Sequence, residues 1–250
     1  MGAILQAIHV SKEYFTNRGV LSAVEDITFD VASGEFVCIV GPSGCGKSTL
    51  LRLLAGLLLP DRGQVCLHGH PLTGPSRKIG LVFQKANLMP WRTVFDNVLL
   101  PLEIQRVNHL EAQQRVEEVL RLVDLTAFAN CYPRELSGGM EQRVAIARAL
   151  AYEPEILLLD EPFGALDALT RERLNLELMR IWEASHRTIV MVTHDIREAV
   201  FLADRVLVIS QRPGRITVEV PVTLPRPRST DLFYSDAFNS LAHRVRLAIR

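Results

Sequence analysis

Gly41-Pro42-Ser43-Gly44-Cys45-Gly46-Lys47-Ser48-Thr49 is the stretch with the most chemistry to offer. It fits the spacing G-x-x-x-x-G-K-[ST], between an apolar run, Phe36 to Val40, and a leucine-rich one, Leu50 to Leu59. Strand, glycine-rich turn and helix is the context that spacing requires. Glycines let the backbone wrap closely with its N–H groups pointing inward, and the helix N-terminus adds the positive end of its dipole. Lys47 supplies a point charge for terminal phosphates, and Ser48 an oxygen for Mg²⁺. The chemistry is capture of a nucleoside triphosphate. Cys45 reads as a small filler within the loop, not a nucleophile.

A second group of candidates stands at strand ends. Ile156 to Leu159 is a continuous apolar run closed by Asp160 and Glu161. Such a run fits a buried parallel strand, and its C-terminal end is where open α/β sheets bind ligands. Asp160 is placed to hold Mg²⁺, directly or through water. Glu161, one residue later, points elsewhere and is suited to polarise an attacking water. Gln84 follows the apolar strand Ile79 to Phe83, and His194 follows Thr188 to Val192. A glutamine there is ordinarily a solvated cap and a lone histidine ordinarily structural, yet both sit where the same crevice would lie.

Leu136-Ser137-Gly138-Gly139-Met140-Glu141 reads as another helix start, with Ser137 as N-cap and two glycines leaving N–H groups uncovered. One nucleotide has little use for two anion-binding helix ends from one subunit, unless the second end serves a neighbouring subunit.

These residues need a scaffold, and the 250-residue chain is long enough for one large domain or two small ones. Hydrophobic content of 48% and charged content of 22% are ordinary for a globular protein. A net charge of zero gives no reason to expect nucleic acid as the partner. The four cysteines form no C-x-x-C pair, which argues against a zinc site or disulfide framework and fits a reducing cytosol. No secretory signal is evident, Gln6 stands where myristoylation needs Ser or Thr, and no apolar run reaches the roughly 18 residues of a membrane span. Work at a membrane therefore needs a partner to hold the chain there.

The coarse pattern places these motifs. Ile8 and Val10 mark a short strand, Tyr14 and Phe15 follow in a polar stretch, and Val20 to Phe29 is a second strand. An aromatic residue here either stacks on a purine ring or simply packs. Pro60-Asp61-Arg62-Gly63 is a turn before the strand Gln64 to Leu67. Residues from about 86 to 154 read as a helical insert, with Asn108 and Glu111 opening a helix whose Val116, Val119, Leu120 and Val123 share a face. Ala168 to Ala184 is helical, and Arg205 to Ile209 is a strand joined by the turn Arg212-Pro213-Gly214 to its partner, Arg215 to Val220. Phe238, Leu241, Val245 and Ala248 have helical spacing, so 229–250 reads as an amphipathic helix packed on a domain spanning 1–228.

Taken together, the motifs resemble the ATP-binding subunit of ABC transporters over nearly the whole chain. The phosphate loop resembles the family's Walker A motif, and Ile156 to Asp160 with Glu161 its Walker B motif and catalytic glutamate. Leu136-Ser137-Gly138-Gly139 resembles the signature motif, which is far more specific than a phosphate loop. Gln84 matches the Q-loop, Ala165-Leu166-Asp167 the D-loop, His194 the switch histidine, and Tyr14 the aromatic that stacks on adenine. Phe163 to Arg171 and Arg212-Pro213-Gly214-Arg215-Ile216 look like the nitrate, sulfonate and taurine importer branch.

The resemblance implies an α/β P-loop NTPase core with a mixed sheet, an antiparallel N-terminal β part and a helical insert. It implies ATP and Mg²⁺, the latter held by Ser48, Gln84 and Asp160. It further implies a head-to-tail homodimer in which Ser137, Gly138 and Gly139 reach the partner subunit's ATP. Transmembrane permease subunits would hold the dimer on the inner face of the cell membrane, and a solute-binding protein would act indirectly. Ala86 to Asn97, with Met89, Pro90 and Trp91, is the expected dock. Met140 stands where glutamine is commoner. Glu141 replaces a usual basic residue, which predicts weaker nucleotide-driven dimerisation. A non-transport ABC ATPase shares every catalytic residue and differs in its partners. A P-loop kinase fits less well, since neither the signature stretch nor His194 belongs to it.

Overall fold

The computed structural model describes residues 2–17, 19–164 and 166–249. It divides into two compact units, one of residues 1–76, 158–161 and 187–250, the other of residues 77–157 and 162–186.

In the first unit, β1 (Ala3–Thr16) and β2 (Gly19–Ala32) form a long antiparallel pair. β4 (Arg62–Leu67) lines the other edge of β1, and β5 (His70–Pro71) lies outside it. The sequence predicts only a short strand at Ile8–Val10, with Tyr14 and Phe15 in a polar stretch. The strand instead runs through both. Its alternation is broken where the pairing with β2 shifts register between Ala7 and Lys12, and His9 and Asp26 take left-handed φ of 50° and 53° there. Each such bulge flips which side chains face the core, so a period-2 pattern fades at the sequence level.

The second sheet of this unit is built on β3 (Phe36–Val40), which lies parallel to both β8 (Thr188–Thr193) and β9 (Arg205–Ile209). β10 (Ile216–Pro221) runs antiparallel to β9, and β7 (Ile156–Asp160) lies beyond β8, giving the order β10-β9-β3-β8-β7 and a mixed sheet. Every residue of β3, β7 and β8 is buried, as expected for parallel strands covered on both faces. Val40 pairs with Thr193, so β3 and β8 end side by side and their following loops leave the sheet together.

α1 (Lys47–Leu54) follows the phosphate loop. The leucine-rich stretch is helical only this far, because Gly56 turns the chain with a left-handed φ of 71°, and Leu57 and Leu59 are exposed. α6 (Ile196–Leu202) is capped by Asp195, and α7 (Asp236–Ala248) buries Phe238 and Val245, with Leu241 and Ala248 half-buried. The tail is fixed by stacking of Phe233 on Phe201, with centroids 4.7 Å apart, and by the Arg197 guanidinium 5.2 Å from the Phe233 and Phe238 ring centres.

The second unit holds β6 (Ile79–Val82), α2 (Val94–Ile104), α3 (His109–Leu122), α4 (Gly138–Leu150) and α5 (Ala168–Ser185). It thus takes in β6 and α5 as well as the helices of residues 86–154. Asn108 caps α3 as its sequence predicts, by accepting from the Leu110 amide, and Ala112, Val116 and Leu120 are its buried face. Val119 is only half-buried. Among the described residues, no helix is long and apolar enough to cross a membrane.

Candidate functional site

The phosphate loop is shaped by close backbone approaches in the first unit. Gly46 has φ 105° and stands so near β2 that a Cβ would lie 2.4 Å from the Ala23 carbonyl oxygen. Only glycine satisfies both demands. Gly46 is also the N-cap of α1 and brings no side-chain hydrogen bond, so the first-turn amides are left for an anion. Lys47 is buried and donates from Nζ to the Gly41 (2.9 Å) and Pro42 (3.0 Å) carbonyls. Its charge is thereby held over the loop, 3.6 Å from Glu161 Oε1.

Ser48 Oγ donates to Asp160 Oδ1 at 2.9 Å. Asp160 is buried, and burial pushes its carboxyl above the usual range; the Ser48 hydrogen bond opposes this, Glu161 reinforces it, and Arg52 and Lys47 oppose it more weakly. A buried carboxylate beside a second carboxylate calls for positive charge. Two hard oxygens at Ser48 and Asp160 match what Mg²⁺ takes from protein.

Strand alternation predicts that Glu161 points away from Asp160. The structure corrects this, because Glu161 lies one residue beyond β7 with a left-handed φ of 43°, its amide donating to the Val192 carbonyl at 2.9 Å. That turn brings its carboxylate back to Lys47 on one side and to His194 Nδ1, 2.8 Å from Oε2, on the other. Lys47, Ser48, Asp160, Glu161 and His194 are therefore one connected group at the C-terminal ends of β3, β7 and β8.

Tyr14 is half-buried, with its hydroxyl 3.5 Å from Thr49 Oγ1, so its ring stands beside the first turn of α1. Phe15, facing away, is 87% exposed. Cys45 is buried, as a filler would be.

Gln84 and Ser137–Gly139 belong to the second unit. Ser137 caps α4 by accepting from the Met140 amide at 3.3 Å, which uses one amide. Gly138 is exposed, with its N–H at the helix end. Gln84 is exposed, two residues past β6, and its carbonyl accepts from Gln142 Nε2 at 2.8 Å. The same Nε2 donates to the Pro162 carbonyl at 2.6 Å. A cavity of about 580 Å³ opens here, lined by Gln84, Gly138, Glu141 and Gln142 among others. Asp167 caps α5, and the Thr170 backbone N–H holds its carboxyl below the usual range. Ala165, named with it in the D-loop, lies outside the described residues.

Residues 24–164 match the family model described as ABC transporter. The chain belongs to the ABC transporter family. Members of that ATP-binding family hydrolyse ATP, and this chain is an ATPase of the ABC type. It is 47% identical over 226 residues to the nitrate import ATP-binding protein NrtD of Synechocystis, covering 90% of this chain and 85% of that one. It is 44% identical over 236 residues to the aliphatic sulfonates import ATP-binding protein SsuB of Bacillus cereus, covering 94% and 92%. Among solved structures, the dimeric bacterial ABC transporter cassette MJ0796 superposes with a TM-score of 0.78 at 36% identity, covering 88% of this chain and all of that one.

Two features of this ABC ATPase are not evident from its motifs. Gln142 is buried and ties the Gln84 backbone to Pro162, the residue after Glu161. Its only signal in the sequence is a polar residue on the apolar side of α4. Arg212, which the sequence places in a turn and in the stretch resembling the importer branch, reaches the phosphate loop.

Proposed function

We propose that this chain is the ATP-hydrolysing subunit of an importer for a small anionic solute of the nitrate, sulfonate or taurine type, working as a head-to-tail homodimer beneath separate permease subunits. The observation that carries this reading is the meeting of Lys47, Ser48, Asp160, Glu161 and His194 at one end of the parallel strands. The likeness to nitrate and sulfonate import subunits supports the substrate class.

Each composite site takes Tyr14, residues 41–49, Asp160, Glu161 and His194 from one copy and Ser137, Gly138 and Gly139 from the other. The loop amides and Lys47 hold the phosphates, and Tyr14 takes the base. Glu161 accepts the proton of the attacking water, and His194 fixes the orientation of that carboxylate. Ser48 and Asp160 would hold Mg²⁺, which when bound offsets phosphate charge. Loss of the γ-phosphate removes what both copies share, so the dimer opens.

The permease dock lies in the second unit. A cavity of about 350 Å³ is lined by Phe83, Met89, Leu100, Pro101, Ile104 and Tyr152 among others. Trp91, within the expected dock, is 72% exposed, so its ring is available to a partner there. Binding there places the chain on the inner face of the membrane, with a solute-binding protein on the outside acting only through the permease.

The test is phosphate release by the purified full chain across a concentration series, together with co-purification from cells. Release of free phosphate with a specific rate that climbs with concentration, and recovery of a multi-span membrane protein, are expected. Full-speed hydrolysis by a strict monomer overturns the reading, as does a phosphorylated small-molecule product. Recovery without any membrane protein points to a non-transport ABC ATPase instead.

A further inference from the structure

The turn between β9 and β10 packs onto the phosphate loop. Arg212 donates from Nε (3.0 Å) and from a terminal nitrogen (2.5 Å) to the Gly44 carbonyl. Gly214 closes on the next peptide, since a Cβ there would lie 2.3 Å from the Cys45 carbonyl oxygen. The Gly214 amide donates to the Ala23 carbonyl (3.1 Å), the same atom against which Gly46 is packed, and its own carbonyl accepts from the Glu25 amide (2.9 Å). Ser210 holds the turn's shape, its Oγ donating to the Pro213 carbonyl and accepting from the Arg215 amide, each at 3.0 Å. Loop, turn and β2 thus meet in one three-way backbone junction.

Gly44 has a left-handed φ of 77° and, as a glycine, little intrinsic preference for that state. An outside restraint is needed to keep it there. In a planar trans peptide the C=O and the next N–H point opposite ways, so holding the Gly44 carbonyl outward aims the Cys45 N–H inward. There that amide makes only a long 3.4 Å bond, to the Pro42 carbonyl. Arginine suits the task, because its fork presents two donors at once and its charge cannot be lost. The guanidinium also sets a positive charge beside an anion receptor.

We propose that the Ser210–Arg215 turn is an outer brace of the phosphate loop, and that Arg212 is a positioning residue that preorganises the loop for the triphosphate of ATP. The inference rests on the ATPase reading. A receptor already in its bound shape loses less to ordering when the ligand arrives, so the brace acts on affinity more than on the chemical step.

The experiment uses the full chain with Arg212→Ala and Arg212→Lys. Binding of a fluorescent ATP analogue, steady-state kcat and KM, and thermal melting are recorded together, and values are expressed per folded molecule. Arg212→Ala raises Kd and KM about tenfold, the scale of one hydrogen bond to a charged group, with a smaller fall in kcat. Arg212→Lys, which keeps the charge and one donor, recovers part of the loss. A lowered melting temperature with Kd and KM at wild-type values means a merely structural contact and overturns the proposal. Failure of the wild-type chain to bind the analogue overturns the ATPase reading itself, and the brace with it.

Discussion

His194 Nδ1 lies 2.8 Å from Glu161 Oε2, while the other oxygen of the same carboxylate lies 3.6 Å from Lys47 Nζ. One carboxylate thus spans Lys47 and the histidine at the end of β8. The span depends on the left-handed backbone at Glu161, which undoes strand alternation and keeps Asp160 and Glu161 in one site with different partners. Asp160 faces Ser48, and Glu161 faces the groups that would surround an attacking water.

Glu161→Gln keeps size and shape but removes the proton acceptor. Turnover should fall by about 10²–10⁴-fold, the range for lost general-base help, with ATP binding retained. Phosphate release under saturating ATP and equilibrium binding separate the two effects. Near-normal turnover would exclude Glu161 as the base.

His194→Ala should likewise cripple hydrolysis and leave ATP binding intact. With His194 Nδ1 2.8 Å from the Glu161 carboxylate, a role exerted through Glu161 predicts that the two losses do not add. A Glu161→Gln, His194→Ala double variant should be no slower, within about threefold, than the slower single variant. Fully multiplicative losses would mean independent roles.

Asp160 makes a prediction about stability. Burial raises its folded-state value, so between the ordinary carboxylate value near 4 and that raised value the native chain binds the proton more tightly than the unfolded one. Stability from this group is therefore greatest in acid and is lost as pH rises through the window. At neutral pH without nucleotide the charge is a burden. Asp160→Asn should raise the melting temperature by about 2–4 °C at pH 7, a gain that shrinks toward pH 4, while hydrolysis collapses. Melting curves at both pH values decide it, and a lowered melting temperature at pH 7 would refute the burden.

The site was legible in the sequence where it is local. The phosphate loop is contiguous, and β7 and β8 announce themselves as apolar runs ended by polar residues. β1 reads as shorter than it is because its bulges scramble alternation. The partners of Glu161 were hidden by one backbone angle. The contacts of Gln142 and Arg212 are not legible, because their targets lie 58 and 168 residues away, and no local pattern encodes a side chain reaching a distant carbonyl.

Trp91→Ala tests the dock. The indole is exposed, and the loop beneath it is pinned independently by buried Asn97, which donates to the carbonyls of Met89, Arg92 and Thr93. Removing the ring should therefore leave folding and the isolated chain's ATPase within about twofold of wild type, since surface substitutions cost little. Solute uptake by the assembled transporter should fall by about tenfold or more. Equal uptake by both forms would move the dock elsewhere.

Ser137→Arg separates binding from closure. Ser137 is exposed at the start of α4, and no other residue assigned to the nucleotide on its own chain lies within the second unit except Gln84. An arginine there removes the cap on the Met140 amide, worth about 1 kcal/mol, and fills the space above the exposed Gly138. The chain should still bind ATP as a monomer with an affinity within about threefold of wild type, because the phosphate loop is untouched. The ATP-dependent dimer should vanish, and turnover with it. Light scattering with and without ATP, in a background carrying Glu161→Gln to hold the closed state, reads this directly. A dimer of normal strength in the variant would show that α4 does not meet the partner's nucleotide. Loss of monomer binding would show instead that Ser137 serves the nucleotide of its own chain, and the head-to-tail arrangement would have to be abandoned.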